Sequence, residues 1–468
     1  MVIVTVVGLL AVVVVAGGVL FAGSDRTDRA DGEVRTEGRS VARSEEERPD
    51  RTVTDRDDNE VVRDALAEVE AFWADTFPQL YGEPYVPIQG GFQSYNEDSD
   101  LPSCPGVEAY EDVAQNAFYC PDEDLIAWDE SLIEFLRTDY GELTIGMVMA
   151  HEIGHGIQPR AAFDAQRTVT IEQQADCFAG AWVRSIADGA NSDFGVRPAD
   201  LDAALAGVLL LRDPTGADPN DPDSHGSAFD RVLAVKEGFD SGAGACANYS
   251  DDGVAARLVQ FPFTSRQDLA TGGNVPLAQI ERFAVADLEH YWSIVFQEAG
   301  RQWDPVDDAV AFDPRDEASL PPCAGEVDDP AAYVGVAFYC EVDDFVAWDD
   351  AILAPELYEN GGDFAVATVI GEQYSMAAQF RLGATGEFLE RTLEAACYTG
   401  TWAASVFLEN RPESELSLSP GDLDEAVLAM LTLGDPPDVV EAGKATRGSG
   451  FQRVGAFQNG FLNGTDAC

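Results

Sequence analysis

The chain repeats itself, and the repeat limits what it can fold into. "AFWADTF" from Ala71 matches "HYWSIVF" from His290, and "NAFYCPDEDLIAWDESL" matches "VAFYCEVDDFVAWDDAI". "DLDAALAGVLLLRDP" matches "DLDEAVLAMLTLGDP", and "SHGSAFDRV" matches "TRGSGFQRV". The offset hardly drifts: it is 219 between Trp73 and Trp292, 220 between Cys120 and Cys340, and 222 between His225 and Arg447. Two copies of one architecture are therefore expected, at 58–250 and 276–468, joined by a linker at 251–275.

All eight cysteines obey the repeat. Cys104, Cys120, Cys177 and Cys246 match Cys323, Cys340, Cys397 and Cys468. An even number in an exported chain predicts disulfides. Of the three pairings open to each copy, the nearest in sequence joins Cys104 to Cys120 and Cys177 to Cys246, with Cys323–Cys340 and Cys397–Cys468 in the second copy. No C-x-x-C pair supports a zinc–thiolate alternative. Within a copy, residues 61–76 have helical spacing, "NAFYC" and "LIAWD" alternate like strands, and "PDED" is the turn between them. Helices follow at about 141–157, 168–188 and 199–211, and a last one starts near Gly226. The expected fold class is α+β, mostly helical.

Residues 1–24 are free of charge and long enough to cross a bilayer once. No A-x-A cleavage site follows, so an uncleaved anchor is favoured over a cleaved signal. Residues 25–57 are charged, poor in large apolar side chains, and read as a disordered tether. The expected location is the membrane, single-pass, with both copies extracytoplasmic, or secretion if the segment is cleaved. With 85 acidic residues against 28 basic ones the net charge is −57. That surface repels phosphate and excludes nucleic acid as a partner.

Chemistry concentrates in "MAHEIGHGIQ". His151 and His155 lie one helical turn apart, about 6 Å along the axis, and two imidazoles so spaced can share a zinc ion. Glu152 then projects toward the open coordination position, as a general base must. In "TIEQQADCFAGAW", Glu172 and Asp176 share a helix face. Glu172 is the expected third ligand and Asp176 the acceptor of a histidine N–H, with the reverse assignment left open. The loop from Asp213 to Ser224 is rich in oxygen ligands, but it lacks the spacing of a calcium loop and reads better as an acidic turn.

The second copy is an internal control. His151, His155, Glu172 and Asp176 become Gly371, Ser375, Thr392 and Ala396, while Cys177, Gly180 and Trp182 persist as Cys397, Gly400 and Trp402. Four polar residues lost together, beside a frame retained, point to one functional unit. His225 becomes Arg447. It is therefore assigned to the site, donating to an oxyanion, with a helix N-cap role as the alternative. His290 aligns with Ala71 and has no such context. Glu372 stands where Glu152 stands, without histidines around it.

At "HEIGH", "EQQADCFAG" and the "HGS" of "SHGSAFDRV", residues 60–250 resemble the bacterial neutral zinc metallopeptidase family of gluzincin type. The resemblance implies a zincin-like fold, here in two tandem copies of which the second is degenerate. It also implies one zinc ion in the first copy and a peptide or protein substrate. The expected activity is peptide-bond hydrolysis with Glu152 as base. An envelope scaffold with a structural zinc site, or a zinc amidase of cell-wall peptides, is the alternative.

Overall fold

A computed structural model describes residues 56–468 except 191, 222–223, 326, 328, 436–438, 441–442 and 445. The apolar segment 1–24 and the tether as far as residue 55 lie outside the described residues. Among the described residues no helix is long and apolar enough to cross a membrane. Arg56 and Asp57, which the sequence reading gave to the tether, belong to the fold. Asp57 accepts from Glu60 N at 2.8 Å and Glu60 answers on Asp57 N at 3.0 Å, a capping box that starts the first helix. Arg56 meets buried Glu142 at 2.6 Å.

The first half runs α1 (Asp58–Tyr81), β1 (Gly91–Tyr95), β2 (Ala117–Cys120), β3 (Leu125–Asp129), α2 (Glu130–Tyr140), α3 (Glu142–Arg160), α4 (Thr168–Ala187), α5 (Pro198–Leu210), α6 (Ala228–Ser241) and α7 (Ala243–Cys246). The mixture is α+β with helix predominant. β3 is central in its sheet, pairing parallel with β1 and antiparallel with β2, and all five of its residues are buried. β1 and α2 were not foreseen: "GFQSY" carries Gly and Ser and alternates weakly.

After α8 (Asp251–Ala255) and α9 (Arg266–Thr271), the same order of elements returns. It comprises α10 (Leu277–Glu298), β4 (Asp308–Phe312), β5 (Ala337–Cys340), β6 (Phe345–Asp349), α11 (Leu353–Asn360), α12 (Asp363–Leu382), α13 (Phe388–Phe407), α14 (Asp422–Thr432) and α15 (Gly450–Asn463). β6 sits between β4 and β5 with the same senses as in the first sheet. Segment 251–275 is less of a linker than its composition suggests. Arg257 pairs with Glu237 at 2.6 Å, Val259 N donates to Asp230 at 3.2 Å, and Val254 and Val259 are buried.

Disulfides join Cys104–Cys120, Cys177–Cys246, Cys323–Cys340 and Cys397–Cys468, the nearest-in-sequence pairing. One apolar core runs through both halves, with Trp73, Trp182, Trp292 and Trp402 wholly inside it.

Candidate metal centre

α3 is buried on nearly every side from Glu142 to Gln158, with only His151 and His155 half-buried within that run, so its polar groups must be met by neighbours rather than by water. Gly154, between the two histidines, lets α4 approach: a Cβ there would stand 3.1 Å from Ala175 Cα. The close crossing of α3 and α4 brings Glu172 to the histidines. His151 Nε2 lies 3.0 Å from His155 Nε2, and the Glu172 carboxylate lies 3.3 Å from the first and 3.5 Å from the second.

Those separations test whether the residues fit a metal. Donors around a tetrahedral ion with bonds of 2.0–2.1 Å stand about 3.3 Å apart. The three groups present two imidazole nitrogens and a carboxylate oxygen, all within 4.8 Å of one another. The donor set and its spacing fit zinc and leave a fourth position open.

The other ring nitrogens are held as such a centre requires. His151 Nδ1 meets Asp176 Oδ1 at 2.8 Å, and His155 Nδ1 meets Gln158 Oε1 at 3.1 Å. Gln158 Nε2 donates to Ile171 O at 2.7 Å, which fixes the amide with its oxygen toward the ring. With Nε2 turned inward to a metal, both imidazoles would carry their remaining proton on Nδ1, where Asp176 and Gln158 wait to accept it. Asp176 lies on the outer side of His151 and Glu172 on the inner side.

Asp176 is held by Arg231 of α6, which sends Nε and Nη2 to its two oxygens at 2.8 Å each. Sequence comparison passed over Arg231, because an arginine stands at the corresponding position, Arg453, in the second copy. Its signal is an arginine inside the apolar run "AFDRVLAV". Gln158 and the Tyr119 amide were also missed; a backbone donor leaves no mark in a sequence.

Glu152 is buried, and its Oε2 accepts from Tyr119 N at 2.9 Å. That amide points away from β3, so Glu152 lies at the outer edge of β2. Burial works against charge on every group here. It pushes the Glu152 carboxyl above its ordinary value. It would push His151 down, but Asp176 and Glu172 outweigh it and hold the imidazolium up at about 10. Glu172 is driven well below the carboxylate range by the histidines, and Asp176 below it chiefly by Arg231, in both cases against burial.

His225 Nδ1 lies 3.4 Å from Asp213, and the ring is near enough to Glu172 to help keep it ionised. It is not the N-cap of α6; Ser227 is, accepting from Asp230 N at 3.1 Å. Asp213 accepts from Ser224 Oγ at 2.6 Å, His225 N at 2.9 Å and Gly226 N at 3.0 Å. Protein donors thus close this loop, and among its described residues no three carboxylates converge. His290 lies on α10, at the start of the second half.

The equivalent ground in the second half is filled differently. Ser375 Oγ donates to Gly371 O at 2.9 Å and meets Thr399 Oγ1 at 3.1 Å. Arg453 Nη2 donates to both oxygens of Glu372, at 2.8 and 2.9 Å.

A family model described as "Putative neutral zinc metallopeptidase" matches residues 2–249, more than half of the chain. The uncharacterized protein YpfJ of Escherichia coli K12 is 28% identical over 206 residues, which are 39% of this chain and 68% of that protein. The uncharacterized protein Rv2575 of Mycobacterium tuberculosis H37Rv is 29% identical over 151 residues, 27% of this chain and 52% of the relative. No solved structure matches.

Proposed function

The chain belongs to the neutral zinc metallopeptidase family, and on that footing we propose that its first half hydrolyses peptide bonds at the centre built on α3 and α4. The observation that carries this reading is the spacing of His151 Nε2, His155 Nε2 and the Glu172 carboxylate, 3.0–3.5 Å apart around one point with Glu152 beside them. These three would hold a zinc ion, which supplies a Lewis acid for the scissile carbonyl and lowers the pKa of water.

The remaining work falls to the chain's own groups. Glu152 takes a proton from the attacking water and returns it to the leaving amine. Its carboxyl, raised by burial, is better matched to that exchange than an exposed glutamate. Asp176 and Gln158 keep the imidazoles in the Nδ1–H form, and Arg231 keeps Asp176 ionised and in place. His225, at the margin of the centre, donates to the oxyanion that develops on the substrate carbonyl. The outer edge of β2 runs beside Glu152 and offers an extended peptide backbone a strand to pair with.

The second half is a metal-less copy of the same zincin-like frame. Four disulfides suit an oxidising compartment, and the apolar segment 1–24 would tether both halves at the outer face of the membrane.

The test is Glu152→Gln. The variant is expected to keep one zinc per chain while peptide hydrolysis falls by about 10²–10⁴-fold. Full activity in that variant, measured on a peptide library with and without chelator, would sink the mechanism.

A further inference from the structure

The two halves meet through contacts made twice, once in each direction. Asp424 of α14 reaches into the first half and accepts from Phe229 N at 2.8 Å. Asp202 of α5 reaches into the second half and accepts from Phe451 N at 2.6 Å and Gly450 N at 3.0 Å. Asp202 and Asp424 are 222 residues apart, and so are Phe229 and Phe451. The rings repeat the exchange. Phe229 packs on Phe461 with centroids 5.0 Å apart, and Phe451 packs on Phe239 at 4.9 Å. Lys236 Nζ sits 3.9 Å from the Phe451 centroid, while Gln458, its counterpart, donates to Phe229 O at 3.0 Å. A patch that meets its own copy in this way is the isologous interface of a two-fold dimer, here within one chain.

What the interface touches differs between the halves. The Phe229 amide is one of the first N–H groups of α6, which have no partner within the helix, and a carboxylate there also favours the helix dipole. Two residues on is Arg231, whose guanidinium holds Asp176, and Asp176 Oδ1 holds His151 Nδ1 at 2.8 Å. At the other end of the exchange, Asp202 caps α15, whose Arg453 holds Glu372, with no metal ligand beyond it.

We propose that the metal-less half is the built-in partner subunit of the metal-binding half, and that Asp424 is a positioning residue for the centre through α6, Arg231, Asp176 and His151. The proposal rests on the zinc reading above. It explains why a half without ligands keeps its "DLD" segment and its terminal helix: they complete the other half rather than a site of their own.

The reciprocity supplies the control. Asp424→Ala and Asp202→Ala remove equivalent caps, one leading to the metal and one not. In the full chain both variants are expected to lose similar thermal stability. Only Asp424→Ala is expected to weaken zinc binding, by about 10–100-fold, as for other groups that orient a ligand from behind it. Zinc affinity is read by competition with a chromogenic chelator, independently of hydrolysis. Asp424→Asn keeps an acceptor oxygen but drops the charge that favours the α6 dipole, so it is expected to weaken zinc binding by a smaller factor, with Asp202→Asn unchanged; where the alanine variant does not fold, equal affinity in the two Asn variants overturns the proposal. Equal zinc affinity in Asp424→Ala, Asp202→Ala and the unaltered chain overturns the proposal, even if the chain is a peptidase. Loss in Asp424→Ala alone upholds it, even if no peptide is cleaved and the peptidase reading falls. An unaltered chain that binds no zinc removes both.

Discussion

Two arginines at equivalent places show how the second half does without the candidate metal ligands of the first and still keeps a paired core. Arg231 and Arg453 are both buried, and a buried guanidinium needs an anion. In the first half that anion is Asp176. In the second half the position of Asp176 is Ala396, and Arg453 binds Glu372 instead, the residue standing where the proposed base Glu152 stands. The carboxylate proposed to serve chemistry in one half thus has a counterpart that serves charge balance in the other. Arg453→Ala would leave Glu372 buried without a counter-charge and is expected to cost about 3–5 kcal/mol. Arg453→Met with Glu372→Gln removes both charges and should recover most of that loss in urea unfolding. Neither variant should alter hydrolysis at a temperature where the chain is folded. A double variant no more stable than Arg453→Ala would show that the ion pair is not what the second half depends on. The same pair explains why Arg231 escaped sequence comparison. Searching for what the second copy lost finds the ligands, but not a residue kept in both copies that has changed partner.

At the scale of elements, the frame that carries the centre is set by helices touching backbone to backbone. A Cβ on Gly180 of α4 would fall 2.0 Å from Val235 O of α6, and one on Gly238 of α6 would fall 1.8 Å from Cys177 O. Gly400 and Gly460 make the same crossing between α13 and α15, with a Cβ 1.9 Å from Phe457 O and 1.8 Å from Cys397 O. Gly238→Ala must push α6 from α4, carrying Arg231 away from Asp176. Overpacking of this kind costs about 1–3 kcal/mol. Gly238→Ala is expected to lower both melting temperature and zinc affinity, whereas Gly460→Ala should lower the melting temperature alone; zinc titrations of the pair decide it. Much of this layer was legible. "NAFYC" and "LIAWD" are strands β2 and β3, joined antiparallel, and the helices carrying His151 and Glu172 fall within a few residues of their expected limits. The parallel partner β1 was not legible, because its weak pattern gains meaning only beside β3. The glycines at the helix crossing could be seen as retained, but not that Gly180 faces Gly238's helix.

Over the whole molecule the net charge of −57 works against compactness, and the fold adds to that strain by burying acids. Burial pushes Asp202 and Asp363 up to about 6, and Asp230 and Glu281 up to about 7. Asp422 and Glu425 are raised well above the carboxylate range, by burial and then by neighbouring carboxylates, Glu425 and Asp363 for the first and Asp363 and Asp424 for the second, against backbone N–H groups that favour the charge. A carboxyl raised on folding binds its proton more tightly in the folded chain than in the unfolded one. Its contribution to stability therefore grows as pH falls from above the raised value toward about 4, where the unfolded chain also takes up protons. Asp213, Glu172 and Asp176 have the opposite sign, but their contribution is lost only as pH falls below the ordinary carboxylate range. Between pH 8 and 6 the raised group governs. With zinc removed by a chelator, so that protons do not compete with a metal for His151 and His155, the melting temperature should rise as pH is lowered across that window, and should rise again when salt is increased from about 0.1 to 1 M, where the screening length shortens from about 10 to 3 Å. A melting temperature that falls on acidification from pH 8 to 6 would mean that the buried acids already carry counter-cations in solution. A set of acids held neutral by burial alone has no way to destabilise the fold by taking up protons.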